Sequence, residues 1–202
     1  MLNVISRINS LLSKMYTCFI RNKFAHLGKS KIYINTVIDN PGLISIGNNT
    51  VVRSNSWLMA IKNTNNSDPK LRIGSNVYLG HNLHLIALEH VVIEDDVLIA
   101  DKVFISDNIH EYNSIELPIK NQSLRFKGAV TISRGAWIGE NVCIIGSSIG
   151  KNSVVGANSV VVKDVPDYVI VGGNPAIIIK EYNLLSKKWE KHNSLLERDA
   201  EK

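Results

Sequence analysis

Histidine is the residue type in this sequence that best suits acid–base chemistry, because its imidazole titrates nearest to neutrality. The chain has six histidines: His26, His81, His84, His90, His110 and His192. His81 and His84 lie three residues apart, but no third histidine falls into a supporting register for a metal. Only two cysteines, Cys18 and Cys143, are present, which is too few for a disulfide framework or a cysteine-based zinc site. The sequence therefore favours a histidine general base and predicts no metal site.

The elements that must position these residues form a repeat with a period of six. Most of the chain divides into rows that begin with an aliphatic residue, continue with small or polar residues and place a small or β-branched residue fifth. The rows begin at Ile46, Val52, Ile73, Leu79, Ile93, Ile99, Ile132, Ile138, Ile149 and Val155. A period of six differs from that of a helix and from the alternation of an ordinary strand. It is typical of a solenoid with three short sides per coil, in which Gly, Asn and Asp form the corners.

Two loops interrupt the repeat. The first, from Lys62 to Lys70, is polar. The second leaves the rows after Ile105, returns at Ile132 and contains His110. A loop of this length in a compact repeat usually has a function. Because only His110 lies where a core strand exits into the long loop, we predict that it is the catalytic base.

The rows and the long loop together resemble the hexapeptide-repeat acetyltransferases, over roughly residues 44–180. The stretch Asp107-Asn108-Ile109-His110-Glu111-Tyr112 is similar to the Asp-His-x-His-x-Tyr stretch of polysaccharide O-acetyltransferases, with Asn108 in place of the first His. Residues 99–110 also resemble the segment of galactoside and maltose acetyltransferases that ends in their catalytic His. The resemblance implies an all-β solenoid, a left-handed parallel β-helix with one long projecting loop, and acetyl transfer from acetyl-CoA.

The resemblance also assigns residues to an acceptor site. Asn82 matches an Asn that binds the acceptor in the sugar acetyltransferases, although a corner Asn can equally satisfy its own turn. Trp137 matches a Trp that lines the acceptor and the thioester end of the cofactor, and it also suits a subunit contact. Glu111 and Tyr112, beside His110, complete the predicted acceptor site.

Acetyl-CoA is expected along the C-terminal coils, where residues 155–166 and 171–176 give the most specific match to the family. Small Ala157 would leave room for the pantetheine, and Lys163 and Lys180 would meet the phosphates as point charges. The residues predicted to bind the cofactor are Trp137, Gly139, Ala157, Val162, Lys163, Pro175 and Lys180.

At this C-terminal end one residue departs from the family's pattern, and three others have a simpler structural interpretation. Ile177 stands where some sugar acetyltransferases carry an Arg, so the resemblance does not extend to the phosphate contact of that Arg. Gly172, Gly173 and Pro175 can also serve only to reverse the chain.

Helical segments are predicted on both sides of the acyltransferase domain, which spans 44–180 with its loop at 107–130. Residues 1–28 place apolar residues at helical spacing within a capping segment, 1–43. This helix is expected to cover the open first coil, and the alternative is that it lies on a membrane surface. Residues 181–202 are predicted to form a C-terminal helix, because Leu184, Leu185, Trp189, Leu195 and Leu196 follow helical spacing.

Composition restricts the location and the class of partner. The formal net charge is +5, a mild excess without the interleaved aromatic residues of a nucleic-acid module. No run approaches the roughly 18 apolar residues of a membrane span, and the N-terminus lacks the pattern of a secretory signal. The sequence predicts a cytoplasmic protein, located at the inner face of the membrane if the N-terminal helix binds lipid.

The leading functional prediction is an acetyl-CoA-dependent O-acetyltransferase that acts on a sugar or a surface-polysaccharide precursor. The resemblance implies direct transfer with His110 as base, in a homotrimer whose active sites lie between subunits. The alternatives are N-acetylation of an amino-sugar nucleotide, acetylation of an antibiotic, a non-catalytic β-helix scaffold, and a metal-dependent lyase related to the β-helical carbonic anhydrases.

Overall fold

A computed structural model describes residues 2–62, 68 and 70–192 of the 202-residue chain. These residues form one α-helix, α1 (Leu2–Ile20), short 3-10 turns at Arg21–Lys23, Pro41–Leu43 and Ile119–Asn121, and 22 strands. In chain order the strands are β1 (His26–Leu27), β2 (Lys31–Ile32), β3 (Val37–Asp39), β4 (Ile44–Ile46), β5 (Val51–Val52), β6 (Trp57–Ala60), β7 (Leu71–Ile73), β8 (Tyr78–Leu79), β9 (His84–Ala87), β10 (Val91–Ile93), β11 (Leu98–Ile99), β12 (Phe104–Ser106), β13 (Asn108–His110), β14 (Leu124–Phe126), β15 (Val130–Ile132), β16 (Trp137–Ile138), β17 (Cys143–Ile145), β18 (Val154–Val155), β19 (Val160–Val161), β20 (Val169–Gly172), β21 (Ile177–Asn183) and β22 (Lys188–Lys191). Most of the first predicted loop lies outside the described residues.

Three sheets form the three sides of a parallel β-helix. The first sheet has the order β1-β4-β7-β10-β15, the second β2-β5-β8-β11-β16-β18-β20-β21-β22, and the third β3-β6-β9-β12-β17-β19. Equivalent residues of successive coils lie side by side, as Leu58, Leu85 and Ile105 do in the third sheet. Backbone hydrogen bonds therefore run between the strands of successive coils, along the axis of the solenoid. The predicted solenoid is confirmed.

The first residue of each row points into a narrow interior. These side chains are at most 3% exposed: Ile46, Val52, Leu58, Ile73, Leu79, Leu85, Ile93, Ile99, Ile105, Ile132, Ile138, Ile144, Ile149, Val155 and Val161. The fifth residue of a row is also buried, whether it is apolar as at Val97 or a hydroxyl as at Ser153. Aliphatic burial therefore stabilises the solenoid, at roughly 1.5–3 kcal/mol for each fully buried large side chain.

The fourth residue of each row turns the chain. Its φ is positive at Asn49, Asn55, Asn76, Asn82, Asp96, Lys102, Gly135, Asn141, Asn152 and Asn158. Asn is the commonest of these because it tolerates the left-handed region better than other residues with a side chain. The predicted corners are confirmed, and they fix which way each side of the solenoid faces.

Helix α1 lies on the first coil and caps it. The helix contacts β2, and Tyr16 and Ile20 join the core while Ser13 and Thr17 are buried against the coil. Among the described residues, no helix is long and apolar enough to cross a membrane. The solenoid begins before residue 44, because β1, β2 and β3 already pair with the next coil. Asn35 and Thr36 hold the corner and fifth positions of this first coil.

The predicted C-terminal helix is wrong as far as the structure describes this segment. The strand β20 pairs antiparallel with β21, and β21 pairs antiparallel with β22, so residues up to 191 extend the second sheet. A free strand edge at the end of the solenoid offers unpaired backbone groups, and the hairpin satisfies them. Tyr182 and Trp189 face each other across the hairpin with ring centroids 5.3 Å apart. Leu195 and Leu196 lie outside the described residues.

Candidate active site

The long loop leaves the solenoid at a buried carboxylate. Asp107 is fully buried, and its side chain accepts hydrogen bonds from the backbone N–H groups of Leu88, Glu89 and His90, each at 2.7 Å. Its own carbonyl accepts a bond from the N–H of Lys127 at 2.7 Å, where the chain returns. One residue thus ties both ends of the loop to the preceding coil. We call residues 107–129 the projecting loop.

The projecting loop begins and ends as an antiparallel hairpin. The strand β13 pairs with β14, so that His110 lies opposite Leu124. The N–H of Glu111 donates to the carbonyl of Ser123 at 2.8 Å and extends the pairing by one step. The backbone of His110 is therefore held by a ladder of its own, outside the three sheets of the solenoid. The hairpin was not predicted from the sequence.

A cavity of about 560 Å³ lies between this hairpin and the outer face of the third sheet. Two regions line it: the third sheet, continued to Ile61 just after β6, and the hairpin. The lining residues are Trp57, Met59, Ile61, Ile86, Phe104, Ser106, Asn108, Ile109, His110, Leu124 and Ile145. His110 is the one histidine in this lining, and most of its neighbours there are apolar. A solvent-accessible imidazole in an apolar cavity is suited to accept a proton from a bound hydroxyl.

Trp57 connects the cavity to two polar groups. Its indole N–H donates to Oδ2 of Asp39 at 2.7 Å. Its ring meets the ring of His84 edge to face, with centroids 5.7 Å apart. Asp39 and His84 therefore fix the orientation of an aromatic wall of the cavity. Neither Trp57 nor Asp39 was predicted to be in the site.

The remaining histidines have other surroundings. The ring of His81 accepts a bond from Nε of Arg53 at 3.0 Å and contacts the hydroxyl of Ser54 at 3.1 Å. His192 lies 3.0 Å from a carboxylate oxygen of Glu181. His26 and His90 are exposed on other parts of the solenoid. Among the described residues, no group of three His, Cys, Asp or Glu side chains could hold a metal ion.

The residues predicted to surround the acceptor are only partly brought together. Glu111 turns to Arg125 across the hairpin, with 3.0 Å between a carboxylate oxygen and Nε. Tyr112 is exposed, and the Arg125 guanidinium lies 5.8 Å from its ring centroid. Asn82 is an exposed corner residue with a φ of 55° and is absent from the cavity lining. Of the predicted acceptor residues, His110 alone lines this cavity.

Trp137 lies on a different side of the solenoid. It is half exposed on the outer face of the second sheet, between Leu98 and Val154 of the adjacent coils. The same line of outward residues continues through Ile170 to Lys180. We call this line, from Tyr78 to Lys180, the second-sheet row. Within one chain it faces away from the cavity that His110 lines.

Gly139 and Ala157 lie at the corner between the second and third sheets. A side chain on Gly139 would come within 2.6 Å of the backbone N of Ala157, so only glycine lets these two coils stack so closely. Ala157 itself is exposed. The two coils therefore stack closely at this corner.

Lys163 lies at the C-terminal end of the third sheet, beside a second cavity of about 320 Å³. Ala176, Ile177, Ile178, Val171 and His192 share this lining. Residues 173–176 lie over β19 and are joined to it by two backbone hydrogen bonds. The N–H of Val160 donates to the carbonyl of Gly173, and the N–H of Ala176 donates to the carbonyl of Val160. Pro175, within this crossing, and Val162, after β19, are both exposed. The chain reversal expected at 172–175 is present.

Comparisons with known proteins agree with this geometry. No protein-family model matches the chain. The putative lipopolysaccharide biosynthesis O-acetyl transferase WbbJ of Escherichia coli is 50% identical over 64 residues, 31% of this chain and 33% of that protein. A putative acetyltransferase of Saccharomyces cerevisiae is 42% identical over 112 residues, 54% of this chain and 57% of that protein. The chain therefore spans between a third and three fifths of the length of these relatives.

Among solved structures, AntD, an N-acyltransferase from Bacillus cereus in complex with dTDP and 3-hydroxybutyryl-CoA, is similar over nearly its whole length. The TM-score is 0.69 at 20% identity, and the match covers 92% of this chain and 93% of that one. The chain has the left-handed β-helix fold of these acyltransferases. The resemblance to hexapeptide-repeat enzymes is thus confirmed, including the handedness, which the six-residue period could not give.

Proposed function

We propose that the chain is an acetyl-CoA-dependent O-acetyltransferase, with a sugar or a surface-polysaccharide precursor as acceptor. The observation that carries the proposal is the position of His110, at the edge of an aromatic and aliphatic cavity and held by the hairpin of the projecting loop. The relatives named as O-acetyltransferases support the same reaction.

The chemistry requires one base and no covalent enzyme intermediate. The imidazole of His110 takes the proton of the acceptor hydroxyl as its oxygen attacks the thioester carbonyl. The C–S bond then breaks, the acetyl group stays on the acceptor oxygen, and the imidazolium returns a proton to the departing CoA sulfur. Trp57 and Phe104 would pack against the C–H face of the acceptor, while its reacting hydroxyl points to His110.

The CoA arm is proposed to run toward the C-terminal end of the solenoid. Lys163 combines a cationic group with an apolar cavity, which suits a phosphate next to a less polar part of the ligand. Ala157, Gly139, Val162 and Pro175 would border the pantetheine along the coil corners. Trp137 and Lys180 belong to the second-sheet row, and we propose that they contact the ligand of a neighbouring subunit.

We propose that the active form is a homotrimer, because the residues of the proposed site lie on two different sheets of the solenoid. His110 lies over the third sheet, whereas Trp137 and Lys180 lie on the second sheet. Packing the third sheet of one subunit against the second sheet of the next, with three-fold closure, would complete three identical sites. We also propose a cytoplasmic location. Contact with the membrane is a separate proposal that rests on α1.

Acyl transfer to the amine of a nucleotide-linked sugar is the second candidate. The similarity to AntD, crystallised with dTDP and an acyl-CoA, covers more of this chain than any relative cited above. A panel of sugars, amino sugars and their nucleotide derivatives, assayed for acetyl-CoA-dependent thiol release, separates the two candidates. A probable macrolide acetyltransferase from Lysinibacillus sphaericus, 48% identical over 61 residues, is the reason to add antibiotics to the panel.

The His110→Ala variant tests the central residue. Turnover should fall by about 10²–10⁴-fold, as expected when a general base is removed, whereas acetyl-CoA affinity measured by calorimetry should be nearly unchanged. His90→Ala is the matched control, because His90 is exposed and lies outside the cavity lining. Turnover within a few-fold of the wild type in His110→Ala would exclude His110 as the base. Wild-type protein with no acetyl-CoA turnover on any acceptor would favour the scaffold.

A mixing experiment tests the division of the site between subunits. His110→Ala and Trp137→Asp chains are each expected to be inactive as homotrimers. Co-expressed in equal amounts, they should recover about one quarter of the wild-type activity, the fraction of sites with an intact His110 and an intact neighbouring Trp137. Mixed oligomers without activity would place both residues in one subunit's site, and a fully active monomer in light scattering would exclude the trimer.

A further inference from the structure

Helix α1 contacts the solenoid through hydroxyl groups. The hydroxyl of Thr17 accepts a bond from the N–H of Ile32 at 2.9 Å and lies 3.0 Å from the carbonyl of the same residue. The hydroxyl of Ser13 accepts a bond from the N–H of Ile34 at 3.3 Å. These side chains satisfy the free edge of the first coil, where no earlier coil is present to pair with it. The side of α1 that carries these hydroxyl groups therefore caps the first coil.

The apolar side of α1 is left uncovered by the chain. Five large side chains on one helical face are exposed by 44–79%: Ile8, Leu11, Leu12, Met15 and Phe19. Their spacing of three and four residues places them in one continuous stripe, which we call the α1 apolar stripe. A contiguous apolar surface of this kind usually marks an interaction site.

The charge around the stripe has one sign. Residues 1–38 contain six basic residues and no acidic residue, whereas the remaining 164 residues contain 17 basic and 18 acidic residues. The first 38 residues therefore account for the net positive charge of the protein. Arg7, Lys14 and Lys23 are exposed, and the ammonium group of Lys23 lies 5.7 Å from the ring centroid of Phe19. Cationic groups thus border the apolar side chains.

We infer that the α1 apolar stripe docks the protein onto a membrane surface that carries anionic lipid headgroups. The helix would lie in the plane of the interface, with the stripe among the acyl chains and Arg7, Lys14 and Lys23 at the headgroup phosphates. A second copy of the chain is a poorer occupant, because it would bring another cluster of six basic residues to the same place. The solenoid would then stand on the membrane by its N-terminal end.

Vesicle flotation of the full chain tests this inference. The wild type should float with vesicles of phosphatidylcholine and phosphatidylglycerol, and bind far less to vesicles of phosphatidylcholine alone. The L11S/F19S variant should bind about a hundredfold more weakly, because two large side chains no longer leave water. Lys14→Ala should lose about fivefold, the usual effect of one basic residue near an anionic surface. The capping hydroxyls are untouched in both variants.

Leu185→Ser is the matched control, because Leu185 is 96% exposed but lies in the turn between β21 and β22 at the opposite end of the second sheet. It should bind vesicles like the wild type. An environment-sensitive fluorophore on Cys18, an exposed cysteine of α1, should become brighter with the anionic vesicles only.

Two results would overturn the inference: no wild-type binding to anionic vesicles, or a loss of binding in Leu185→Ser equal to that in L11S/F19S. If the wild type does not bind and L11S/F19S changes the oligomeric mass, the stripe is a contact between copies. Turnover with a water-soluble acceptor should be the same in all these variants, so the outcome is independent of the proposed acetyl transfer.

Discussion

The coils of the solenoid and the projecting loop hold their residues in place by different means. In the coils, a buried side chain recurs every six residues and the inner strands are paired on both sides, so Ile99 and Ile105 are held by many equivalent contacts. In the projecting loop, one buried carboxylate, that of Asp107, ties the chain to the solenoid. Substitutions in the coils should therefore change stability first, and substitutions in the loop should change turnover first.

This difference also explains why the proposed chemistry lies where the repeat is broken. The first and fifth residues of a row point inward and must be aliphatic or small, and the fourth must form a turn, so none of these positions suits a general base. The outward positions of the rows are free to vary, and in the third sheet they have become Trp57, Phe104 and Ile86. The loop then adds the imidazole of His110 above them. The coils provide the wall of the cavity and the loop provides the base.

The largest expected effect on stability is in the coils. Ile99→Ala should destabilise the fold by about 2–5 kcal/mol, because it leaves a void in an interior with no flexible neighbour to fill it. Leu98→Ala is the matched control, since Leu98 is the preceding residue and is 45% exposed. It should cost less than about 1 kcal/mol. Equal losses in chemical denaturation would show that the interior does not dominate the stability of the solenoid.

A smaller effect on stability, with a larger effect on turnover, is expected at Asp107. Asp107→Asn replaces one acceptor oxygen by an amide donor that faces backbone N–H groups, at a cost of about 1–3 kcal/mol. Weaker bonds at Asp107 should let the projecting loop shift and displace His110. Turnover should therefore fall by more than the fraction of unfolded protein accounts for. Asp167→Asn is the control, because Asp167 makes the same kind of bond, to the N–H of Lys151 at 2.7 Å, from an exposed position outside both cavity linings. A fully active Asp107→Asn variant would mean that the loop is held by other contacts.

Ala157→Trp tests a coil position with a proposed function. Ala157 is exposed at a corner, so the large ring should not unfold the chain. It would fill the proposed pantetheine path and weaken acetyl-CoA binding by about tenfold or more, the equivalent of losing one good contact region. Calorimetry gives the affinity, and thermal unfolding of the same sample shows that the coils are intact. Unchanged affinity would place the CoA arm elsewhere.

The six-residue period allowed the core and the corners of the solenoid to be predicted, because both depend on local sequence. Ile46 and Asn49, for example, are assigned by their place in the row alone. The C-terminal hairpin was mistaken for a helix because Leu184, Leu185 and Trp189 fit helical spacing, and the competing factor, the open edge of β20, is a tertiary feature.

Of the residues that line the candidate cavity, only the histidine could be predicted from the sequence. His110 follows from its place at the exit of a strand, but its partners in the cavity come from separate coils. Trp57, Ile86 and Phe104 are brought together by stacking, which places residues some 20 to 27 positions apart side by side. A search for large apolar residues at the outward positions of the third side would have found them. Asp39 has no such signal, because its role depends on the indole of Trp57.

The smallest expected effect concerns the two thiols. Cys143 lies on the outer face of the third sheet between Phe104 and Val160, and burial raises the pKa of its thiol. Cys18 is exposed on α1. Because the thiolate is the reactive form, a raised pKa lowers the thiolate fraction at a given pH, and Cys143 should react with iodoacetamide several-fold more slowly than Cys18. In guanidinium chloride the two alkylation rates should converge.

Phe104→Ala should speed up alkylation of Cys143 and leave the alkylation rate of Cys18 unchanged, because Phe104 lies beside Cys143 on the adjacent coil. If Cys143 reacts as fast as Cys18 in the folded protein, its neighbours on the adjacent coils do not protect the Cys143 thiol.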